Sequence, residues 1–244
     1  MSAALRDTPH DQAPLDAGLL RGYYSCDLLH EEEFEMKRYI FVVVLATLAA
    51  MSLNAQAPAG WKMRVDRSMN ASDPDAAGSI KFVTQGSGFH ATNPQAAVYW
   101  NPSNTATGNY TLKGTFTLVK TMGHAEYYGL IFGGNGLEGA GQNYIYFMVE
   151  EGGSWLVKSR TGNSTAEVAS SGGPSNVVKK VGANGTSTNA LEVRVGADKV
   201  DFVVNGTVVK SVPKSGAAAK TDGTYGMRIN HMLEVQVDGF GLSK

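Results

Sequence analysis

One cysteine, Cys26, is all the chain has in 244 residues. An internal disulfide framework is excluded, as is any metal site built from several thiolates. An excess of one charge is also missing. The 21 Lys and Arg stand against 22 Asp and Glu, without the clustered basic face that nucleic acid requires. No run reaches the roughly 18–20 apolar residues of a spanning helix. No helix of three turns can be placed, and no repeat of about 20–50 residues is visible, which disfavours solenoids and propellers. What the chain does have is glycine, 29 residues, and an apolar share of 43%. That is enough turn-forming residue for many short strands and enough hydrophobic surface for a core.

Met36-Lys37-Arg38, the apolar stretch from Tyr39 to Met51 and the small residues around Ala55 and Ala57 form the three parts of a secretory signal peptide. Residues 36–57 are read as that signal. The 35 residues ahead of it, with the acidic run Glu31-Glu32-Glu33, are read as a misassigned start or a disordered tail. The other reading is a tail followed by one anchoring or buried helix, for which the apolar stretch is short. Removing residues 1–57 takes four basic side chains (Arg6, Arg21, Lys37, Arg38) from 21 and eight acidic ones from 22, leaving 17 against 14. Cys26 leaves with them, and no cysteine marks the cleavage site for a lipid anchor. Residues 58–244 are then an exported domain, periplasmic or extracellular, held by core packing and without a membrane span.

The clearest strand pattern lies near the C-terminus. Leu191, Val193 and Val195 alternate with Glu192 and Arg194, and Val200, Phe202 and Val204 follow around Asp201. Such a period of two marks a half-buried strand. Asn205-Gly206 supplies a type I′ hairpin turn, since both positions need positive φ, and Thr207 to Val212 returns. Met227 to Ile229 and Leu233 to Phe240 close this meander. Upstream, strands are expected at Gly60 to Val65, Ser79 to Val83, Gly88 to Thr92, and Ala96 to Trp100, the last ending at Asn101-Pro102. A long one spans Asn109 to Thr121. Glu126 to Phe132 and Tyr144 to Val149 are continuously apolar, as strands covered on both faces are. A Gly-rich loop, Gly133 to Asn143, joins them and is long enough to suggest function. Trp155 to Arg160 follows, with two short edge strands near Ala166 to Ala169 and Val177 to Val181. Roughly a dozen strands at this spacing read as a sandwich or barrel. At 187 residues, the domain exceeds an immunoglobulin-type sandwich of about 100 and fits a two-sheet antiparallel jelly roll. The fold class is all-β.

The succession T-L-K-G-T-F-T-L, Y-Y-G-L-I-F-G-G, Y-I-Y-F-M-V, S-W-L-V-K-S-R, N-A-L-E-V-R-V, V-D-F-V-V-N-G and Y-G-M-R-I-N-H resembles the concanavalin A-like lectin/glucanase superfamily. Within it, the chain is most similar to laminin-G-like domains and to the bacterial 3-keto-disaccharide hydrolase domain. The resemblance spans the whole mature region and rests on structural motifs. It implies the jelly roll, and a carbohydrate-related activity shared among members with different chemistry. The retaining glucanases of the superfamily carry E-x-D-x-E or E-x-D-x-x-E on one strand, which sets two carboxylates about 5 Å apart. Here Glu234-Val235-Gln236-Val237-Asp238 is the nearest match; it lacks the central aspartate and second glutamate, so glucanase chemistry is not expected.

Several groups of side chains are candidates. His124 and Glu126, two apart on a strand, share a face and can form an acid/base or metal pair. A third partner, His231 or His90, can arrive only through the fold; the competing reading is a polar strand entrance at a sheet edge. Arg228 and Asn230 share a face and suit sugar hydroxyls, with turn stabilisation the competing role for Asn230 and His231. Among the aromatics, Trp100, Tyr128, Tyr144 and Tyr146 are candidates for a sugar-stacking platform, against core packing. Trp100 stands out because it precedes Asn101-Pro102. The Gly133 to Gly139 loop is no phosphate loop, lacking Lys-Ser/Thr and a following helix. Asn135, Glu138 and backbone carbonyls could offer oxygens to Ca²⁺ but fall short of the six to eight it needs. No cofactor is required, with Ca²⁺ admitted.

The expected function is therefore carbohydrate binding by a non-catalytic exported domain, with a glycan as partner, no nucleic acid, and a monomer or weak oligomer. The alternative is a glycoside hydrolase or lyase of the 3-keto-disaccharide hydrolase type, with His124, Glu126 and His231 as the acid/base set. A structural cell-envelope module is the third reading.

Overall fold

A computed structural model describes residues 57–243. The reading of residues 1–35 and the signal-peptide assignment, 36–57, lie outside them except for Ala57. Two seven-stranded antiparallel sheets face each other. The first runs in the order β1 (Lys62–Asp66), β4 (Ala96–Ala106), β13 (Gly223–Ile229), β6 (Tyr127–Asn135), β7 (Asn143–Glu150), β8 (Trp155–Thr161) and β9 (Ser164–Ser170). The second runs β12 (Thr207–Pro213), β11 (Lys199–Val204), β10 (Ser187–Val195), β5 (Tyr110–Thr121), β14 (Leu233–Ser243), β3 (Gly88–Asn93) and β2 (Lys81–Gln85). One 3-10 turn, Gly216–Ala218, is the helical element among the described residues. No helix among them is long and apolar enough to cross a membrane.

The alternation read from the sequence sets the inner faces. On the second sheet, Leu112, Phe116 and Leu118 of β5 and Leu191, Val193 and Val195 of β10 are buried. Thr111, Lys113, Thr115 and Thr117 between them face outward. Opposite, Tyr128, Leu130 and Phe132 of β6 and Ile145, Phe147 and Val149 of β7 complete the core. Phe202 meets Phe147 with ring centroids 5.1 Å apart and Phe132 at 6.2 Å, spacing at which aromatic edges and faces attract.

The first sheet is covered on its outer face as well. Val98, Trp100, Ile131, Tyr144, Tyr146, Met148 and Leu156 form a second apolar cluster there, roofed by Leu137. This is why β6 and β7 read as unbroken apolar runs. It also explains the Gly-rich loop: β6 extends to Asn135, and what remains carries Leu137 onto the cluster and pairs Glu138 with Lys62.

Two strand expectations are corrected. β4 does not end at Asn101-Pro102 but runs to Ala106. Register pairing to β13 jumps from Trp100 to Thr105, so Pro102 sits where no ladder bond asks for its missing N–H. Val177 to Val181 is not a strand. Its backbone bonds to side chains instead: Lys179 N donates to Asn189 Oδ1 (2.8 Å), and Asn189 Nδ2 donates to Lys179 O (3.0 Å). At Asn205-Gly206 the expected turn is present, with φ of 49° and 82°.

Candidate functional site

Three of the places where the chain crosses from one sheet to the other lie together. Residues 67–80 link β1 to β2, residues 122–126 link β5 to β6, and residues 230–232 link β13 to β14. Sheets stack about 10 Å apart, so such crossings leave the ladder and free polar side chains. Backbone bonds clamp them: Met122 N donates to Met232 O (2.8 Å) and Asn230 N to Tyr127 O (3.0 Å). Met232 holds a positive φ of 57°, a conformation that is rare outside Gly and Asn. The longer crossing is tied down by Gln95, whose Nε2 donates to Ala76 O and Gly78 O, both at 3.0 Å. Beneath them, Asn93 is fully buried. It donates to Ile229 O (3.2 Å) and Gln95 O (3.1 Å) and accepts from Tyr99 OH (2.6 Å).

These crossings bring His124, Glu126 and His231 into contact. Glu126 Oε1 lies 3.2 Å from His124 Nε2 and 3.0 Å from His231 Nε2. A fourth member, Asp73, comes from the first crossing, with Oδ1 2.9 Å from His124 Nε2 and 3.2 Å from His231 Nε2. The far side of His231 is held by Asp75, Nδ1 to Oδ1 at 3.0 Å. Glu126 Oε2 accepts from Asn230 Nδ2 (2.7 Å) and from Tyr127 N (3.3 Å). Burial alone would lower the His231 pKa, but the Asp75 hydrogen bond with the Glu126 and Asp73 carboxylates outweighs it and raises the pKa above its ordinary value. Among the described residues, Asp73, His124, Glu126 and His231 are the group able to hold a metal ion. His90 is elsewhere, bound to Glu234 (2.9 Å) and Gln236 (3.3 Å) on the second sheet.

A cleft of about 660 Å³ opens beside this cluster on the first sheet, lined by Arg64, Asp66, Arg160, Arg228, Asn230 and His231 among others. Three guanidiniums meet one carboxylate there. Arg64 and Arg228 pair with Asp66, and Arg160 Nη1 lies 3.1 Å from its Oδ2. Arg228 also donates to Tyr144 OH (3.0 Å) and to Asn230 Oδ1 (3.2 Å), and lies over the Tyr146 ring at 5.7 Å. Arg228 and Asn230 thus link the arginine group to Glu126. A second cleft, about 790 Å³, shares Arg160 and continues past Asn135, Asn143 and Lys220.

The aromatic platform is corrected. Tyr128 is 0% exposed and lies between the sheets, because the alternation that buries Leu130 and Phe132 buries it too. Trp100 (4%), Tyr144 (2%) and Tyr146 (6%) face outward but are packed against one another and under Leu137, so no broad ring face is open for stacking. Of the oxygens considered for Ca²⁺, the Glu138 carboxylate pairs with Lys62.

Asp66, Asp73, Asp75, Arg64 and Arg160 are site residues that the sequence reading passed over. The available signal was Asp73-Pro74-Asp75 inside a stretch of about 14 residues without secondary structure, since loops of that length are commonly functional. The suspicion went instead to the Gly-rich loop, whose part is packing.

No family model and no curated protein matches the sequence. Among solved structures, a carbohydrate-binding module, CBM66, from Bacillus subtilis aligns with a TM-score of 0.55 and 11% identity over 76% of this chain and 96% of its own. A protein of unknown function with a galectin-like fold, also from Bacillus subtilis, aligns with a TM-score of 0.50 and 14% identity over 75% and 88%. At these identities the likeness is one of fold. The chain shares with them a two-sheet antiparallel jelly roll.

Proposed function

We propose that this is an exported carbohydrate-binding domain that takes an oligosaccharide bearing carboxylate or sulfate groups in the cleft on the first sheet. One observation carries the reading: Arg64, Arg160 and Arg228 share a single carboxylate, Asp66, and Arg64 Nε is buried without a hydrogen-bond partner. Three guanidiniums with one counter-charge keep positive charge and forked donors for an anionic group. Asn230 in this cleft and Tyr144 in the adjoining one add polar groups of the kind that grip hydroxyls. The shared fold of the carbohydrate-binding module supports the ligand class, and the signal pattern of residues 36–57 supports export. The domain acts as a monomer or weak oligomer.

Calorimetry with acidic and neutral oligosaccharides tests this. Acidic ones are expected to bind, and Arg160→Met to weaken them at least tenfold while the fold stays intact. Indifference of every glycan, or full affinity in Arg160→Met, overturns it.

A second reading, glycoside processing of the 3-keto-disaccharide hydrolase type, is favoured by the meeting of Glu126 with His124 and His231 at 3.2 and 3.0 Å. These are distances at which protons pass. Release of keto-sugars by the protein, abolished in Glu126→Gln, would put this reading first.

A further inference from the structure

We infer that Asp73, His124, Glu126 and His231 hold a divalent transition-metal ion of the Zn²⁺ class at the edge of the cleft. The inference stands apart from the glycan reading and needs no substrate. The four ligand atoms, Asp73 Oδ1, His124 Nε2, Glu126 Oε1 and His231 Nε2, all lie within 4.8 Å of one another. Taken in that order they form a ring in which carboxylate oxygen alternates with imidazole nitrogen, with edges of 2.9, 3.2, 3.0 and 3.2 Å. Bonds of about 2.0–2.1 Å to a tetrahedral ion give ligand–ligand edges of roughly 3.3 Å, so the four ring edges are close to the size such an ion sets, and the two diagonals, within 4.8 Å, would close on it.

Hydrogen bonding accounts for Glu126 with the two histidines but leaves one member of the ring over. Asp73 Oδ1 is buried and has no hydrogen-bond partner, although two ring nitrogens stand 2.9 and 3.2 Å away; neither meets it in hydrogen-bond geometry. His231 Nδ1 lies 3.0 Å from Asp75 Oδ1, which leaves Nε2 as the ring atom facing Glu126 and Asp73. Two carboxylates balance one divalent ion, and the neutral imidazoles complete its shell.

The surroundings are those of ligands held in place. Asp75 orients His231 and is itself fixed by Ser68 N at 3.0 Å. Asn230 and Tyr127 N fix the oxygen of Glu126 that points away from the ring. Carboxylate–histidine pairs of this kind set the tautomer and raise ligand basicity. The donor set chooses the metal. Two imidazoles suit Zn²⁺ and its first-row neighbours, whereas Ca²⁺ takes six to eight oxygens.

The test uses the untagged full chain, stripped with a chelator, dialysed against Zn²⁺, Mn²⁺ or Ca²⁺ and analysed by elemental analysis and calorimetry. One equivalent of Zn²⁺ is expected, with Ca²⁺ at least 100-fold weaker. Co²⁺ should give the visible absorption of a four-coordinate site. Asp73→Asn and His231→Gln should each weaken Zn²⁺ at least 100-fold, and His90→Gln should not. Because ligands near the core can disturb folding, the half-exposed His124 supplies a further variant: His124→Ala should stay folded by circular dichroism and lose the cobalt spectrum. Zn²⁺ binding weaker than about 100 μM to the folded protein, binding unchanged in His124→Ala, or preference for Ca²⁺ would each overturn the assignment.

Discussion

Replacing Tyr99 by phenylalanine removes one oxygen atom, and the structure says what that atom does at two pH values. Tyr99 OH donates to Asn93 Oδ1 at 2.6 Å, and both residues are 0% exposed. With the hydroxyl gone, a buried carbonyl oxygen loses that donor. The cost of such a group is about 1–3 kcal/mol, or about 4–8 °C in melting temperature for a central value of 2 kcal/mol in a domain of this size. Alkali should reverse the trend. Burial raises the Tyr99 pKa well above its ordinary value, with the Asn93 bond a smaller, opposing influence. Above about pH 10 the unfolded phenol ionises while the folded one stays protonated, so the wild type loses stability as pH rises. The slope for this group approaches about 1.4 kcal/mol per pH unit once the unfolded phenol is fully ionised. The phenylalanine variant has no proton to lose at this position. The gap of about 2 kcal/mol at pH 7–9 should therefore shrink by about 1 kcal/mol between pH 10 and 11. Urea unfolding at fixed pH measures both quantities. Equal stability at neutral pH, or a gap unchanged between pH 9 and 11, would refute the reasoning.

Gly226→Ala would set a Cβ 2.1 Å from Tyr99 O. Because that is backbone against backbone, β13 and β4 must part, at about 3 kcal/mol or more, read as a lower urea midpoint. Asn205→Gly keeps the left-handed turn but removes bonds to Ala190 N (3.0 Å), Val177 O (2.8 Å) and Asn189 Oδ1 (2.8 Å). A loss of about 1–3 kcal/mol is expected, with faster amide exchange at Ala190; Asn205→Ala should cost about 1–2 kcal/mol more for its φ. Asp75→Asn should weaken Zn²⁺ about 10–100-fold in a competition titration, without unfolding the chain. Zn²⁺ at 100 times its dissociation constant should add about 2.7 kcal/mol, so chelation should lower the melting temperature by roughly 5–10 °C.

The sequence by itself determined what depends on neighbours along the chain. Period-two alternation placed the strands of both sheets, because successive side chains of a strand face opposite ways. Asn205-Gly206 named its own turn, because few residues accept positive φ there. The unbroken apolar runs of β6 and β7 announced a sheet buried on both sides. Where a strand's limits depend on partners, as at Pro102 and at Val177 to Val181, local pattern misled. Of the site, only pairs close in sequence were legible this way. His124 and Glu126 are two positions apart, but Asp73 and His231 reach them only because three crossings leave the two sheets at one place. Likewise Asp66 collects three arginines from β1, β8 and β13. Such contacts are fixed by the order in which strands lie side by side, a property of the packed sandwich that no short stretch of chain encodes.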